Sequence, residues 1–249
     1  MSERTVTAAL IIIGNEILSG RTQDANLAFL AQALNEVGIQ IREVRIVPDA
    51  EADIVEAVNA CRARYDHVFT TGGIGPTHDD ITSACVAKAL GVPFGRNPEA
   101  ERRLLAYYPP EKVNPARMKM ADTPEGAELI DNPVSVAPGF TIGNVHVLPG
   151  VPSILQAMFA GLKSRLSGGA VVRSRTITLV CPEGDIALAL GGIQTDCPTV
   201  EIGSYPFMRQ GSFGTSLVLR STDESAIETA ADAVLAEARQ GRIEVLDLF

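Results

Sequence analysis

No C-x-x-C pair, no basic surplus, no apolar run of membrane-spanning length and no internal repeat occur in this 249-residue chain. The four cysteines, Cys61, Cys85, Cys181 and Cys197, lie far apart, which argues against a zinc centre. They read as reduced, mostly buried thiols, the usage expected of a cytoplasmic protein. The net charge of −9 argues against nucleic acid as a partner, although a local field can still admit a small anion. The run Ala8–Ile13 is too short for a membrane span and has neither a basic flank nor a cleavage site. Neither a membrane anchor nor a leader is expected.

A hydrophobic content of 46% with 20% charged residues belongs to a globular chain. Its length allows one large domain, or a medium one and a small one. The stretch that organises it is Thr70-Thr71-Gly72-Gly73-Ile74-Gly75-Pro76-Thr77-His78-Asp79-Asp80-Ile81-Thr82. Residues 65–71 before it read as a buried strand, and 81–90 after it as a helix with Ile81, Cys85, Val86 and Leu90 near one stripe. Such a loop brings bare amides to the mouth of a parallel sheet, where they suit phosphate. His78 replaces the third glycine of a dinucleotide fingerprint, and no Gly-Lys-Ser/Thr follows as in a P-loop. A β-branched side chain at Gly73 is expected to block a phosphate.

Asp79 and Asp80 complicate that picture. A carboxylate 4 Å from a phosphate charge repels it by roughly 1 kcal/mol in water and about 4 kcal/mol at an effective dielectric near 20. Either a divalent cation such as Mg²⁺ lies between them, or the carboxylates accept hydrogen bonds from ring N–H groups or ribose hydroxyls. One of the two could instead cap the helix that follows.

Two further loops share the pattern. The apolar strand 7–13 ends in Gly14-Asn15-Glu16-Ile17-Leu18-Ser19-Gly20, where Glu16 is either a ligand contact or an exposed carboxylate. Asn26 is placed to cap a helix carrying Leu27, Leu30, Ala31, Leu34 and Val37, closed by Gly38. A second strand, 39–47, leads through Pro48 and Asp49 into a helix with Ile54, Val55, Val58 and Cys61 on one face. Asp49 has the right type for that helix's start. The β-α-β-α-β order calls for a doubly wound parallel sheet, whose ligands bind beyond the carboxyl ends of its strands. Glu16, Asp49 and the Asp79–Asp80 pair therefore converge on one rim.

Farther on, 97–108 reads as a helix, and 115–120 as a short basic piece with Arg117 and Lys119 on a solvated face or over the site. Two strands within 137–148 meet near Gly143-Asn144, a hairpin signal. Leu148-Pro149-Gly150-Val151-Pro152-Ser153 is a third strand-to-helix loop, its helix running to about Leu166. After the Ser167-Gly168-Gly169 linker come strands at 173–180, 199–203, 215–221 and 243–246. Between them lie a short helix at 184–190 and a long one capped by Asp223. Gly203-Ser204-Tyr205-Pro206 reads as a structural turn.

Together the Gly14–Gly20, Thr70–Thr82 and Leu148–Pro152 motifs resemble the molybdopterin-binding (MoaB/MogA-like) family, in the form of the CinA amino-terminal domain. The resemblance spans roughly residues 5–166. It implies an α/β fold, a three-layer α/β/α arrangement with a mostly parallel sheet, as residues 1–167, with a small α+β domain as residues 170–249. It also implies a homo-oligomer, dimer or trimer, that binds a nucleotide or pterin phosphate such as molybdopterin. Asp49 and Asp80 match two aspartates that matter for adenylylating molybdopterin. In CinA-like chains the same site is linked to metal-dependent cleavage of ADP-ribose or FAD. By that resemblance Asp80 and Asp49 are catalytic, and Asp79, Asp80 and Glu16 hold Mg²⁺ or another divalent cation. Gly72, Gly73, Gly75, Pro76, Thr77, Gly14, Asn15, Pro149 and Gly150 then bind the ligand. Pterin adenylylation in molybdenum cofactor synthesis and a non-catalytic binding module are the alternatives. One departure is visible, because the pattern usually has Glu soon after Pro152 and this chain reads Ser153-Ile154-Leu155. The CinA deamidase domain is not seen in the sequence, so deamidation of nicotinamide mononucleotide is not expected.

Overall fold

The computed structural model describes residues 4–209 and 212–248. Its chain divides into two compact units, one ending at Ala170 and the other beginning at Val171. The first opens with β1 (Val6–Ile13), the short α1 (Asn15–Leu18), α2 (Asn26–Asn35), β2 (Ile39–Val47), α3 (Glu51–Arg64), β3 (His67–Thr71) and α4 (Thr82–Leu90). An insertion follows: β4 (Phe94–Arg96), α5 (Pro98–Tyr107), α6 (Pro115–Met118) and β5 (Asp122–Pro124). The unit closes with β6 (Glu128–Ile130), β7 (Gly139–Ile142), β8 (Val145–Leu148) and α7 (Pro152–Leu162).

The main sheet has the order β2-β1-β3-β8-β7-β6, parallel through its first four strands and antiparallel through β7 and β6. Alternation along β1 explains the layering, since successive side chains point to opposite faces. Ala9, Ile11 and Ile13 pack with Ile54, Val58 and Cys61 of α3 and with Cys85 and Val86 of α4. Ala8, Leu10 and Ile12 pack with Leu30 and Leu34 of α2 and with Leu155, Met158 and Phe159 of α7. Helices on both faces leave β1 no polar side, which is why it reads as an unbroken apolar run. The hairpin turns at Gly143, where φ is +58°.

The second unit contains β9 (Arg173–Leu179), α8 (Glu183–Asp196), β10 (Glu201–Arg209), β11 (Ser212–Ser221), α9 (Glu224–Gln240) and β12 (Val245–Leu248). Its antiparallel sheet, ordered β10-β11-β9-β12, packs through Ile177, Leu179, Leu217 and Leu219 on Ile186, Ile227, Ala230 and Val234. Asp223 caps α9, accepting from the N–H groups of Ser225 (2.9 Å) and Ala226 (3.3 Å).

Three local expectations change. Helix α8 runs to Asp196 rather than stopping at Leu190, because the buried Ile193 anchors the turn beyond Gly191-Gly192. Gly203-Ser204-Tyr205-Pro206 is extended within β10 and not a turn. Because β10 is an edge strand, Pro206 costs the ladder little. Asn26 is the first helical residue of α2 and not its cap; Asp24 instead accepts the N–H of Leu27 at 2.8 Å.

Candidate functional site

The three strand-end loops meet on the carboxyl rim of the main sheet. Gly72 N–H donates to the Leu148 carbonyl (3.1 Å) and Gly14 N–H to the Val47 carbonyl (3.2 Å), so each loop begins tied to a neighbouring strand. Gly72 has φ +98°, and a Cβ there would lie 2.2 Å from the Ile13 carbonyl oxygen. Gly150 packs on the same residue, its Cβ position being 3.4 Å from Gly72 Cα.

Beyond Gly72 the loop curls back onto α4. The buried Thr82 donates its hydroxyl to the Gly72 carbonyl and its N–H to the Gly73 carbonyl, both at 3.0 Å. Gly73 has φ +67°, and a Cβ there would stand 2.1 Å from Thr82 Oγ1. Glycine at 73 is therefore demanded by the loop's own fold before any ligand is considered, which changes the reading of a β-branched substitution there. Gly75 leaves room for a carboxylate, since its Cβ position is 2.7 Å from Asp80 Oδ2. Pro76 is exposed.

The tandem aspartates converge on Thr77. Asp80 Oδ2 accepts the Thr77 N–H at 2.7 Å, and Thr77 Oγ1 lies 2.5 Å from both Asp80 Oδ2 and Asp79 Oδ1. A threonine hydroxyl has one proton, so it satisfies one carboxylate at a time. That hydroxyl holds the Asp79 carboxyl below its usual range, helped by its own backbone N–H and by the charges of His78 and Lys119. Neither aspartate caps α4, whose N-cap, Ile81, makes no side-chain cap bond. Lys119 Nζ donates to the Thr77 carbonyl at 2.7 Å, putting a cation on the loop. Arg117, by contrast, lies over the Tyr108 ring and donates to the Lys112 carbonyl.

Asp49 does not start α3. Its Oδ2 accepts the N–H of Asn15 at 2.8 Å, which fastens the Gly14–Gly20 loop to the end of β2. Glu16 folds back over Gly14 and lines a cavity of about 60 Å³ between β1, α2 and the Gly150 loop. Among the described residues no three His, Cys, Asp or Glu side chains form a group that could share one ion. The expected trio of Glu16, Asp79 and Asp80 is therefore not assembled; only the two aspartates share a partner, and Glu16 serves another part of the rim.

Asn26, outside the motifs, and Thr71, at the start of the Thr70–Thr82 stretch, complete this edge. Asn26 Nδ2 donates to the Gly150 carbonyl at 2.8 Å, while Asn26 Oδ1 and Thr71 Oγ1 are buried without a partner. Helical periodicity gave Asn26 a capping role, and strand periodicity made Thr71 a core position, so neither carried a site signal. The four cysteines are free thiols. Burial pushes the thiols of Cys61 and Cys85 up, Cys85 to about 11, which makes them inert at neutral pH. No helix among the described residues is long and apolar enough to cross a membrane.

Fold and site define a three-layer α/β protein whose ligand-type loops share the carboxyl rim of a mostly parallel sheet. Residues 9–167 match the family described as "Probable molybdopterin binding domain", and residues 171–247 match "FAD synthase, middle domain". A protein of Pyrobaculum calidifontis is 40% identical over 80% of this chain and 80% of its own length. A CinA-like protein of Syntrophus aciditrophicus is 34% identical over 96% of this chain, which spans 58% of that protein. The crystal structure of CinA, a protein of unknown function from Thermoplasma acidophilum, has 34% identity and a TM-score of 0.61. It covers 65% of this chain and 99% of its own. The chain belongs to the molybdopterin-binding domain family, in its CinA-like branch.

Proposed function

We propose that the rim binds a phosphate-bearing nucleotide or pterin and that the protein hydrolyses a nucleotide diphosphate of the ADP-ribose or FAD type. The observation that carries this reading is the Thr77 centre: two carboxylates on one hydroxyl, beside Lys119, on a glycine loop at a strand's carboxyl end. The match of residues 171–247 to the FAD synthase middle domain adds a nucleotide-related context.

The donor set fits a hard cation in part. Mg²⁺ is commonly held by one or two carboxylates with substrate phosphates filling other positions, so a closed protein cage is not required. Asp79 and Asp80 would hold it. When bound, such an ion supplies Lewis-acid polarisation of the diphosphate. Lys119 contributes positive charge on the same loop, and Asp49 keeps the neighbouring Gly14–Gly20 loop in register with β2.

The test is product analysis with ADP-ribose, FAD and ATP, first with Mg²⁺ and then with EDTA. AMP release that requires metal supports hydrolysis. Absence of turnover with tight molybdopterin binding would move the protein to cofactor synthesis, and neither result would leave a binding module.

A further inference from the structure

We propose that Thr141, His146 and His67 form a one-proton relay at the amino ends of β3 and β8, opposite the rim that carries the ligand-type loops. When His67 takes up a proton the relay reverses direction. That reversal tightens the hold of His67 on Ser167, in the segment that leads out of the first unit.

The three side chains make an unbroken line of hydrogen bonds. Thr141 Oγ1 lies 3.0 Å from His146 Nδ1, His146 Nε2 lies 3.0 Å from His67 Nδ1, and His67 Nε2 lies 3.1 Å from the Ser167 carbonyl oxygen. A carbonyl only accepts, so His67 Nε2 carries a proton. In neutral His67 the Nδ1 is then an acceptor. His146 must donate to it from Nε2, which leaves His146 Nδ1 to accept from the Thr141 hydroxyl. All the donors therefore point the same way along the line. A flipped His146 ring would set carbon against both partners and lose both bonds.

The surroundings decide where an added proton rests. His146 is 5% exposed and its ring stacks on Phe69. Burial, then the charges of His67 and Arg165, pulls it down to about 3. His67 is only half-buried and lines two cavities, one of about 380 Å³ shared with Thr141 and His146, the other of about 600 Å³ shared with Gly168 and Gly169. The charged groups facing the pair are Asp66, ion-paired with Arg4, and Glu128, ion-paired with Arg165. The Asp66 carboxylate favours a cation on His67 next to it, whereas Arg165 disfavours one on His146.

Uptake of one proton then balances without moving a ring. A proton from water entering the smaller cavity goes to Thr141 Oγ1, and the Thr141 hydroxyl proton passes to His146 Nδ1. The His146 Nε2 proton passes to His67 Nδ1. His146 ends neutral with its proton on Nδ1, and His67 ends as the cation. Its bond to the Ser167 carbonyl becomes charge-assisted, roughly twice as strong as a neutral one. Ser167 belongs to a stretch that lies on the first unit by backbone contact. Gly169 N–H donates to the Gly38 carbonyl at 3.2 Å, and a Cβ at Gly168 would stand 1.7 Å from the Val37 carbonyl oxygen. The second unit begins at Val171, so the charge on His67 sets how firmly the first unit holds its own exit.

Nitrogen-15 NMR of the full chain from about pH 8 to 5 tests this, because each tautomer gives its ring nitrogens distinct shifts. His146 should pass from the Nε2–H to the Nδ1–H tautomer while staying neutral, with the same midpoint at which His67 gains its second ring proton. Exchange of the Gly169 N–H, corrected for its intrinsic pH dependence, should slow about threefold or more at the acid end. In His67→Phe the His146 tautomer should no longer respond to pH, and the extra protection of Gly169 should vanish. A response that persists there would assign the titration to Asp66 or Glu128 and overturn the relay. The wild-type spectra decide the matter even if that variant does not fold. His146 holding its Nε2–H tautomer throughout, charging together with His67, or switching at a different midpoint would each overturn the relay. A shared midpoint with unchanged Gly169 exchange would overturn its hold on the exit segment.

Discussion

Asp49 at the end of β2 accepts the backbone N–H of Asn15, 34 residues earlier, at 2.8 Å. The aspartate that the family resemblance marks as catalytic is thus also tied to a loop. It positions the Gly14–Gly20 segment against the cavity that Glu16 lines.

That relationship separates two variants. Asp49→Asn retains an oxygen that can accept from Asn15, whereas Asp49→Ala leaves the N–H unpaired and should cost about 1 kcal/mol, in the range of a lost helix cap. Urea denaturation should show the loss in the alanine variant alone, and turnover should follow the same order. Equal loss of turnover in both variants, with stability intact in Asp49→Asn, would assign the charge itself to the chemistry.

The Asp80 carboxylate has two jobs, which a careful choice of substitution separates. It accepts the Thr77 N–H, so Asp80→Ala disturbs the loop as well as any cation. Asp80→Asn can keep the backbone bond and removes the charge. We expect Asp80→Asn to fold normally, as judged by circular dichroism and melting temperature, and to lose metal-dependent AMP release by at least a hundredfold. Turnover close to the wild type in that variant would exclude Asp80 from the reaction.

Thr82 and Gly73 form a single packing unit. Thr82→Val leaves the Gly72 carbonyl without its side-chain donor and should destabilise by about 1–3 kcal/mol. Gly73→Ala meets both a positive φ and Thr82 Oγ1, and should destabilise by about 2 kcal/mol or more. Lost ligand binding in Gly73→Val would therefore report on loop folding, and a melting curve of the same variant makes the distinction.

Acid should weaken the fold through His146. This side chain is buried on β8, 3.0 Å from His67 Nδ1 on one side and from Thr141 Oγ1 on the other, with its ring stacked on Phe69. Burial first, then the His67 and Arg165 charges, pulls it down from 6.5 to about 3. Its folded value lies below its unfolded value, so the unfolded chain takes up a proton first. Stability is complete above pH 6.5 and falls as pH drops from there toward 3, at up to about 1.4 kcal/mol per pH unit. Denaturant midpoints between pH 6.5 and 4.5 should show this slope in the wild type and a flatter one in His146→Phe.

Much of the fold was legible because its signals are local. The unbroken apolar run of β1 marked a strand covered on both faces, the glycine-terminated loops marked strand ends, and Gly143-Asn144 marked a hairpin that the structure keeps. From the same local signals, the order of elements led to a parallel sheet and placed Glu16, Asp49 and Asp80 on one rim. Helix α8 escaped because two consecutive glycines look like a stop when the burial of Ile193 is unknown.

What the sequence by itself determined is therefore the architecture, the two-part organisation and the three loops, all of which depend on residue type and period. The tertiary structure alone decided what each side chain does. Asp49 caps a loop from another strand, Lys119 reaches the Thr77 carbonyl 42 residues away, and Asn26 reaches Gly150 across 124 residues. These pairings have no period, because hydrogen bonds between segments remote in sequence depend on how the strands and helices pack. For the same reason, Asn26 and Thr71 could not be told from an ordinary cap and an ordinary strand residue until the fold showed both lining one cavity with Glu16.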